Sequence, residues 1–503
     1  MEYTVLDCFE KSVLNFADRA ALTDDVSTIN YSELKHKSRC GASVLGHKIH
    51  HGQPVAVYAK KSKDSIIGFL SIIYAGGCYS YLNPELPESR LKQICDCLDV
   101  KIILTDAHHR EKAQEMFSNC EILDIEELTN GKEDEELLNK KRAELIDTDP
   151  LYINFTSGST GVPKGIAVSH RSVIDFIKCF TEIFEITEND VIGNQAPFDF
   201  DVSVKDIYSA FFTGAELVVI PRELFSLPTK LMDFLCEHKV SILVWAVSAL
   251  SLLKTFHALE YKTPETVRKV LFSGEVMQYK VLKYLREQLP SAEFVNLYGP
   301  TEITCNCTYH ILSAERDYAE GIPIGIPFPN EDVFLLSDDD KLITEKETAG
   351  EVCVRGTALA LGYFLSPQEN EKHFTQNPLN KFYPERIYRT GDLAQYDENG
   401  ELVFCGRKDF QIKYMGHRIE LEEIERRMSE IDGVEQSCCV FDEAKQKLKG
   451  FYIGDIESAD LLAVMKQSLP MFMVPGRLHK LDSFPLNKNG KIDRKFLKEL
   501  KVR

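Results

Sequence analysis

Ten consecutive residues, Thr156, Ser157, Gly158, Ser159, Thr160, Gly161, Val162, Pro163, Lys164 and Gly165, bring three glycines, four hydroxyl side chains and one lysine together directly after the apolar run 151–155. Backbone N–H groups, hydroxyl donors and a point cation are what a loop needs to wrap phosphate oxygens. It is not a Walker loop. That motif carries Gly-Lys-Ser/Thr ahead of a helix, whereas here Pro163 precedes Lys164 and Gly165 follows it. A flexible surface loop would share the composition, so the rest of the chain has to decide.

Four more clusters lie downstream: Asn296, Leu297, Tyr298, Gly299, Pro300, Thr301 and Glu302; Tyr388, Arg389, Thr390, Gly391, Asp392 and Leu393; Gly406, Arg407, Lys408 and Asp409; and Asn489, Gly490, Lys491, Ile492, Asp493 and Arg494. With the loop, in this order and across almost the full length, they resemble the adenylate-forming superfamily of acyl-CoA synthetases, firefly-type luciferases and peptide-synthetase adenylation domains. The resemblance implies an α/β fold with a large N-terminal core over 1–408, made of two α/β subdomains and a small β-barrel subdomain. A small mobile α+β domain over 409–503 would follow, hinged at Asp409. It also implies a two-step reaction that uses ATP and Mg²⁺: an acyl-adenylate forms, and the acyl group then passes to a thiol.

Each matched residue has a physical task under that resemblance. A carboxylate attacking the α-phosphorus must overcome repulsion between two anions, so cations and preorganised donors are needed around the transferring group. Thr156, Ser157, Gly158, Ser159, Thr160, Gly161 and Lys164 would clamp the pyrophosphate side. Glu302 would act through Mg²⁺, and Lys491 would bridge the substrate carboxylate and the α-phosphate. Thr156, Lys164, Glu302 and Lys491 are thus the expected catalytic set. Asp392 matches the carboxylate that accepts both ribose hydroxyls, for which two oxygens are suited, and Arg407 matches its ribose or phosphate partner. Tyr298 would stack on adenine and Asn296 bond its edge, with Gly274 and Glu275 opposite and Gly299 and Thr301 completing the ATP site. Rotation about Asp409 would withdraw Lys491 after the first step and bring residues 416–420 toward the same place.

The acid is read from Ala196, Pro197, Phe198, Asp199, Phe200, Asp201, Val202 and Ser203, which resemble the part of amino-acid-activating members where an aspartate pairs with the substrate ammonium. Asp201 takes that position, and an ammonium is the natural partner for a buried carboxylate. Val202, Lys205, Ser273, Leu297 and Cys305 are the expected companions in the pocket. The run 200–208 is most similar to the D-alanine–carrier protein ligases, which makes D-alanine the favoured substrate. Two residues depart from that pattern: Ser273 stands where those enzymes carry cysteine, and Lys205 where they carry an apolar residue. A lysine reaching the pocket would favour an acidic or hydroxylated side chain, whereas one on the helix surface would be a solvated charge. The alternatives are therefore a stand-alone peptide-synthetase-type adenylation enzyme for another amino acid, and a CoA-utilising acid ligase. No phosphopantetheine attachment motif is seen, so the acceptor is expected on a separate phosphopantetheinylated carrier protein.

Such a site needs rigid elements beneath it. From Pro54 onward short apolar strands (55–58, 79–82, 102–105) alternate with helices (64–75, 89–98), and a second alternating region over 207–295 carries buried strands at 217–220, 242–244 and 270–272. Strands separated by single helices imply parallel pairing with both faces covered. Past Gly350 the texture turns to short β pieces at 351–354 and 402–405, which suits a barrel-like subdomain, and a helix is expected at 420–431.

Bulk properties are compatible with this. At 503 residues the chain exceeds what one core usually serves. With 59 Lys plus Arg against 78 Asp plus Glu, net −19, broad binding to a nucleic-acid backbone is not expected, and a nucleotide must be held locally. The 14 cysteines lack CxxC pairs, which favours reduced thiols over zinc sites or disulfides. The histidines at 47, 50 and 51 and at 108 and 109 read as polar loops. The opening residues lack a basic segment before an apolar run, so a cytoplasmic monomer without membrane insertion is expected.

Overall fold

The computed structural model describes residues 2–157, 162–443, 445–486 and 492–500. The chain divides into two compact units: Met1–Pro84, Leu98–Asn154 and Gly165–Lys408 form the first, and Glu85–Cys97, Phe155–Lys164 and Asp409–Arg503 the second. The division between 408 and 409 falls at Asp409, while the second unit also draws in two pieces from earlier in the chain.

Two mixed sheets and one antiparallel sheet build the first unit among the described residues. The nine-stranded sheet runs, in spatial order, Ile326–Pro327, Thr308–Ile311, Glu293–Tyr298, Lys269–Ser273, Ile242–Ala246, Val191–Asn194, Glu216–Val219, Ala20–Thr23 and Thr28–Asn30. Its central strands pair in parallel and are unbroken apolar runs, as Val270, Leu271 and Phe272 illustrate. That is the pattern of a sheet covered on both faces. Leu271, Val295 and Leu297 join the large core on one face, with Val204, Ile207 and Phe211 of the helix Val202–Thr213. Trp245, Phe272 and Phe294 join a second core on the other face.

The seven-stranded sheet is ordered Gly362–Tyr363, Lys164–Ser169, Pro150–Thr156, Cys78–Tyr81, Pro54–Tyr58, Ile102–Thr105 and Glu121–Asp124. The strands expected past Gly350 form a six-stranded antiparallel sheet in which Gly350–Gly356 pairs with Arg386–Tyr396, and that strand also pairs with Leu402–Arg407. In the second unit a hairpin of Gln411–Tyr414 and His417–Glu420 precedes the helix Leu421–Ser429, and a three-stranded sheet follows. The helix starts one residue later than the sequence pattern suggests, because Glu420 is taken by a ladder pair with Gln411, and it ends at Ser429. Among the described residues no helix is long and apolar enough to cross a membrane.

Candidate functional site

Parallel strands deliver side chains to one end of a sheet, where ligands usually bind in such folds. The strand Glu293–Tyr298 ends in Tyr298, and Gly299 follows it closely against other backbone: a Cβ there would stand 2.5 Å from the Asn306 Cα and 2.8 Å from the Cys307 nitrogen. Glycine is required by that approach. The chain then turns through Thr301–Ile303 and doubles back, with Thr304 and Cys305 both left-handed at φ 52° and 76°. Non-glycine residues in that region cost about 1–3 kcal/mol each and persist only where surrounding contacts over-determine them. Those contacts are present. The Thr304 hydroxyl donates to the Ala358 carbonyl at 2.7 Å, and the Cys307 amide donates to the Tyr298 carbonyl at 2.8 Å.

Three expected nucleotide residues meet at the end of this strand. The Tyr298 hydroxyl donates to Asp392 Oδ2 at 2.5 Å, and Arg407 Nη1 pairs with Asp392 Oδ1. Arg407 Nη2 also donates to the Thr390 carbonyl at 3.2 Å. Burial first, and the Asp392 carboxylate second, push the Tyr298 phenol well above its usual range, so it stays a donor and its ring is pinned. Each Asp392 oxygen already accepts one protein donor, yet a carboxylate has about four acceptor sites, which leaves capacity for a diol. Asn296 Nδ2 donates to the Pro323 carbonyl at 2.8 Å, which turns its Oδ1 acceptor the other way. Gly274 adopts φ +93° with nothing within 4 Å of an added Cβ, and Glu275 and Thr301 are half-buried beside the same strand ends.

Glu302 is 1% exposed, and the Tyr363 hydroxyl donates to its Oε1 at 2.6 Å. A buried carboxylate with one oxygen fixed in this way offers hard oxygen donors, which is the ligand type Mg²⁺ takes.

The expected amino-acid residues gather on the other side of the returning loop. Asp201 stands at the head of the helix Val202–Thr213, and its side chain makes no capping bond. Cys305 Sγ contacts the Asp201 carbonyl at 3.1 Å, and burial pushes that thiol well above its ordinary range. Lys205 is fully buried, not a surface charge. Its Nζ donates to Asn306 Oδ1 at 2.6 Å and to Ser273 Oγ at 3.4 Å. Leu297 is packed in the core on this face, and Val202 is half-buried.

Thr156, Ser157, Lys164 and Asp409 belong to the second unit. There Ser157 Oγ donates to the Arg418 carbonyl at 2.7 Å, while Arg90 Nη2 donates to the Thr156 carbonyl at 3.4 Å and its Nη1 pairs with Glu423 Oε1 at 3.0 Å. Lys164 opens its strand half-buried, and Asp409 is exposed and accepts from the Gln411 amide at 3.1 Å. Gly158, Ser159, Thr160, Gly161 and Lys491 lie outside the described residues. Asn306, Tyr363 and Arg90 were not singled out by the sequence. Asn306 directly follows Cys305, but nothing in the sequence flags its amide.

Residues 9–364 match the family described as AMP-binding enzyme. The chain belongs to that family. It is 32% identical over 504 residues to bacitracin synthase 1 of Bacillus licheniformis, covering 99% of this chain and 9% of that protein. It is 31% identical to surfactin synthase subunit 1 of Bacillus subtilis (strain 168), covering 98% of this chain and 14% of that protein. The chain thus spans a small part of the curated relatives it matches. Among solved structures it is similar to holo-PA1221, an NRPS protein containing adenylation and PCP domains, at TM-score 0.85 and 25% identity, covering 100% of this chain and 85% of that one. It is also similar to IdnL1 at TM-score 0.83 and 25% identity, covering 96% and 98%. The fold is that of the adenylate-forming enzymes.

Proposed function

We propose that this AMP-binding enzyme activates an amino acid with ATP and passes it to the phosphopantetheine thiol of a separate carrier protein. In the first step a substrate carboxylate oxygen bonds to the α-phosphorus of ATP while the bond to the β-phosphate oxygen breaks, giving aminoacyl-AMP and pyrophosphate. In the second, the carrier thiolate bonds to the acyl carbon and AMP leaves.

The observation that carries the amino-acid part is Asp201: a carboxylate at a helix head, uninvolved in capping, against a loop whose strained residues 304 and 305 are locked in place. A substrate ammonium is the complementary charge for such a carboxylate, and a fatty or aryl acid brings none. Asp392, held between Tyr298 and Arg407, would take the ribose, Asn296 Oδ1 the adenine amino group, and the pinned Tyr298 ring the adenine face. Glu302 would hold Mg²⁺, which neutralises phosphate charge when bound. Thr156, Ser157 and Lys164 would face the β- and γ-phosphates together with Gly158, Ser159, Thr160 and Gly161. Lys491 would bridge carboxylate and α-phosphate, carried by rotation about Asp409. The relatives include bacitracin synthase 1 and surfactin synthase subunit 1, and one solved neighbour contains adenylation and PCP domains, which supports a carrier thiol as the acceptor.

D-alanine is the substrate favoured by the similarity of residues 200–208. A second reading, a polar or acidic amino acid, has a specific observation on its side, since Lys205 is buried against Ser273 and Asn306. Amino-acid-dependent ATP–pyrophosphate exchange tests the function, with mass spectrometry of carrier protein and of CoA after the second step. Exchange should require one amino acid or a small set, and Asp201→Ala and Lys491→Ala should each lower it about 100-fold or more. Exchange with no amino acid, or acylation of CoA alone, would overturn it.

A further inference from the structure

The helix Tyr31–Leu45 carries His36 and Cys40 four residues apart. Residues at i and i+4 share one helix face, the spacing by which helical zinc motifs present two ligands to one ion. Glu133 reaches the same face from the connection between the helices Ile125–Thr129 and Glu135–Glu144. His36 Nδ1 and Glu133 Oε1 are 2.7 Å apart, and Cys40 Sγ lies 4.0 Å from Nδ1 and 3.8 Å from Nε2 of that ring. One ligand atom from each of the three residues fits within a span of 4.8 Å. Zinc takes sulfur at about 2.3 Å and nitrogen or oxygen at about 2.0–2.2 Å, so tetrahedral ligand atoms stand about 3.3–3.6 Å apart. An ion in place of the proton between His36 and Glu133 needs shifts of about half an ångström. The His36 side chain, 65% exposed, has room to make them.

The carboxylate is held in place without an ion. Arg39, on the same helix, donates through Nε to Glu133 Oε2 at 2.5 Å, and its guanidinium stands 6.0 Å from the Tyr74 ring centroid. The following amide, of Asp134, donates to Ser43 Oγ at 2.8 Å, and Ser43 Oγ donates to the Arg39 carbonyl at 2.8 Å. Asp134 Oδ1 caps the next helix by accepting from the Leu137 amide at 3.0 Å. Outer partners that orient a ligand in this way are a regular part of metal sites. We propose that His36, Cys40 and Glu133 form a binding site for a zinc ion, which staples the helix Tyr31–Leu45 to the segment carrying Glu133, with water in the fourth position. All three residues belong to the first unit. Thiolate and imidazole favour zinc over Mg²⁺, a hard ion that takes oxygen ligands. Binding releases the Cys40 thiol proton to solvent and leaves the imidazole proton on Nε2. CxxC pairs are not needed, because one helix supplies two ligands and a distant connection the third. None of the three residues has a part in the ATP or amino-acid sites described above, and the zinc site is independent of them.

Titration of the metal-free full chain with Co²⁺, a coloured stand-in for Zn²⁺, tests this. One equivalent should give a thiolate-to-cobalt charge-transfer band that Zn²⁺ removes and excess Mg²⁺ does not. His36→Ala and Glu133→Gln should each weaken Co²⁺ binding about 100-fold or more, beyond the roughly 10–100-fold that loss of an outer partner costs. Cys40→Ser should abolish the band. Zn²⁺ should also raise the Tm of the unaltered chain and leave that of His36→Ala unchanged. Thermal melting of the metal-free variants reports separately on folding, and His36→Ala, at an exposed side chain, decides even if the buried Cys40→Ser does not fold. Absence of the band at one equivalent overturns the site. So does a band of unchanged strength and affinity in folded His36→Ala and Glu133→Gln variants, which would put the cobalt on others of the 14 cysteines.

Discussion

Two asparagines show how a single neighbour can turn an ambiguous side chain into a defined one. An amide offers an acceptor and donors, and which end meets a ligand depends on what already holds the other. At Asn296 the Pro323 carbonyl takes the NH₂ group and leaves an acceptor; at Asn306 the Lys205 ammonium takes the oxygen and leaves donors. Asp392 works differently, since it is a buried anion held from both sides by Arg407 and Tyr298. Replacing it by asparagine removes the charge opposite the guanidinium and puts an NH₂ where an acceptor is needed. Breaking a buried, hydrogen-bonded pair costs about 3 kcal/mol or more. ATP binding by Asp392→Asn, measured by titration calorimetry, should therefore weaken about 100-fold. Tyr298→Phe deletes the hydroxyl that donates to Asp392, a loss of roughly 1 kcal/mol per hydrogen bond, and should weaken it several-fold only. An unchanged Kd for Asp392→Asn would remove the ribose role assigned to it.

At the scale of elements, helix ends raise a related question of who satisfies whom. The helix Val5–Phe16 begins with the Val5 amide donating to His170 Nδ1 at 3.3 Å, and His170 itself opens the helix His170–Ile183. His170 is fully buried, and that burial lowers its pKa from 6.5 to about 4. The folded chain thus keeps the imidazole neutral where the unfolded chain binds a proton. Stability from this group is intact above about pH 6.5 and is lost as pH falls toward 4, at up to about 1.4 kcal/mol per pH unit. Urea melts at pH 7 and pH 5 should show a drop about 2 kcal/mol smaller in His170→Asn, which keeps an acceptor for Val5, than in the unaltered chain. Equal drops would mean that other groups carry the acid sensitivity. The strands were readable from sequence where Val, Ile and Leu run together, as at Ile102–Thr105. So was the cluster ending in Tyr298 and Glu302, because its residues are adjacent in the chain. Tyr363 meeting Glu302, Lys205 meeting Asn306 and Val5 meeting His170 were not, since a local pattern carries no signal for partners 61, 101 and 165 residues apart.

Across the whole molecule, the most distant of these pairings joins the second unit to itself. Arg90 lies on the helix Glu88–Leu98 and Glu423 on Leu421–Ser429, 333 residues apart, and the two side chains are 11% and 2% exposed. Arg90 also reaches the Thr156 carbonyl, and Ser157 donates to the Arg418 carbonyl. The strand end that leads into the Gly/Ser/Thr loop is thereby tied to the C-terminal segment through side chains from two other parts of the chain. Removing the guanidinium leaves Glu423 as a buried carboxylate, one of whose oxygens already has no partner. Arg90→Met should destabilise the second unit by about 3 kcal/mol, and a Glu423→Gln partner should recover part of that by removing the stranded charge, a positive coupling in a double-mutant cycle. Because Thr156 and Ser157 open the proposed phosphate-binding loop, KM for ATP should rise in Arg90→Met by more than KM for the amino acid. Denaturation curves give the stability arm and pyrophosphate exchange the kinetic arm. Equal changes in both KM values would show that Arg90 holds the unit together without positioning the loop.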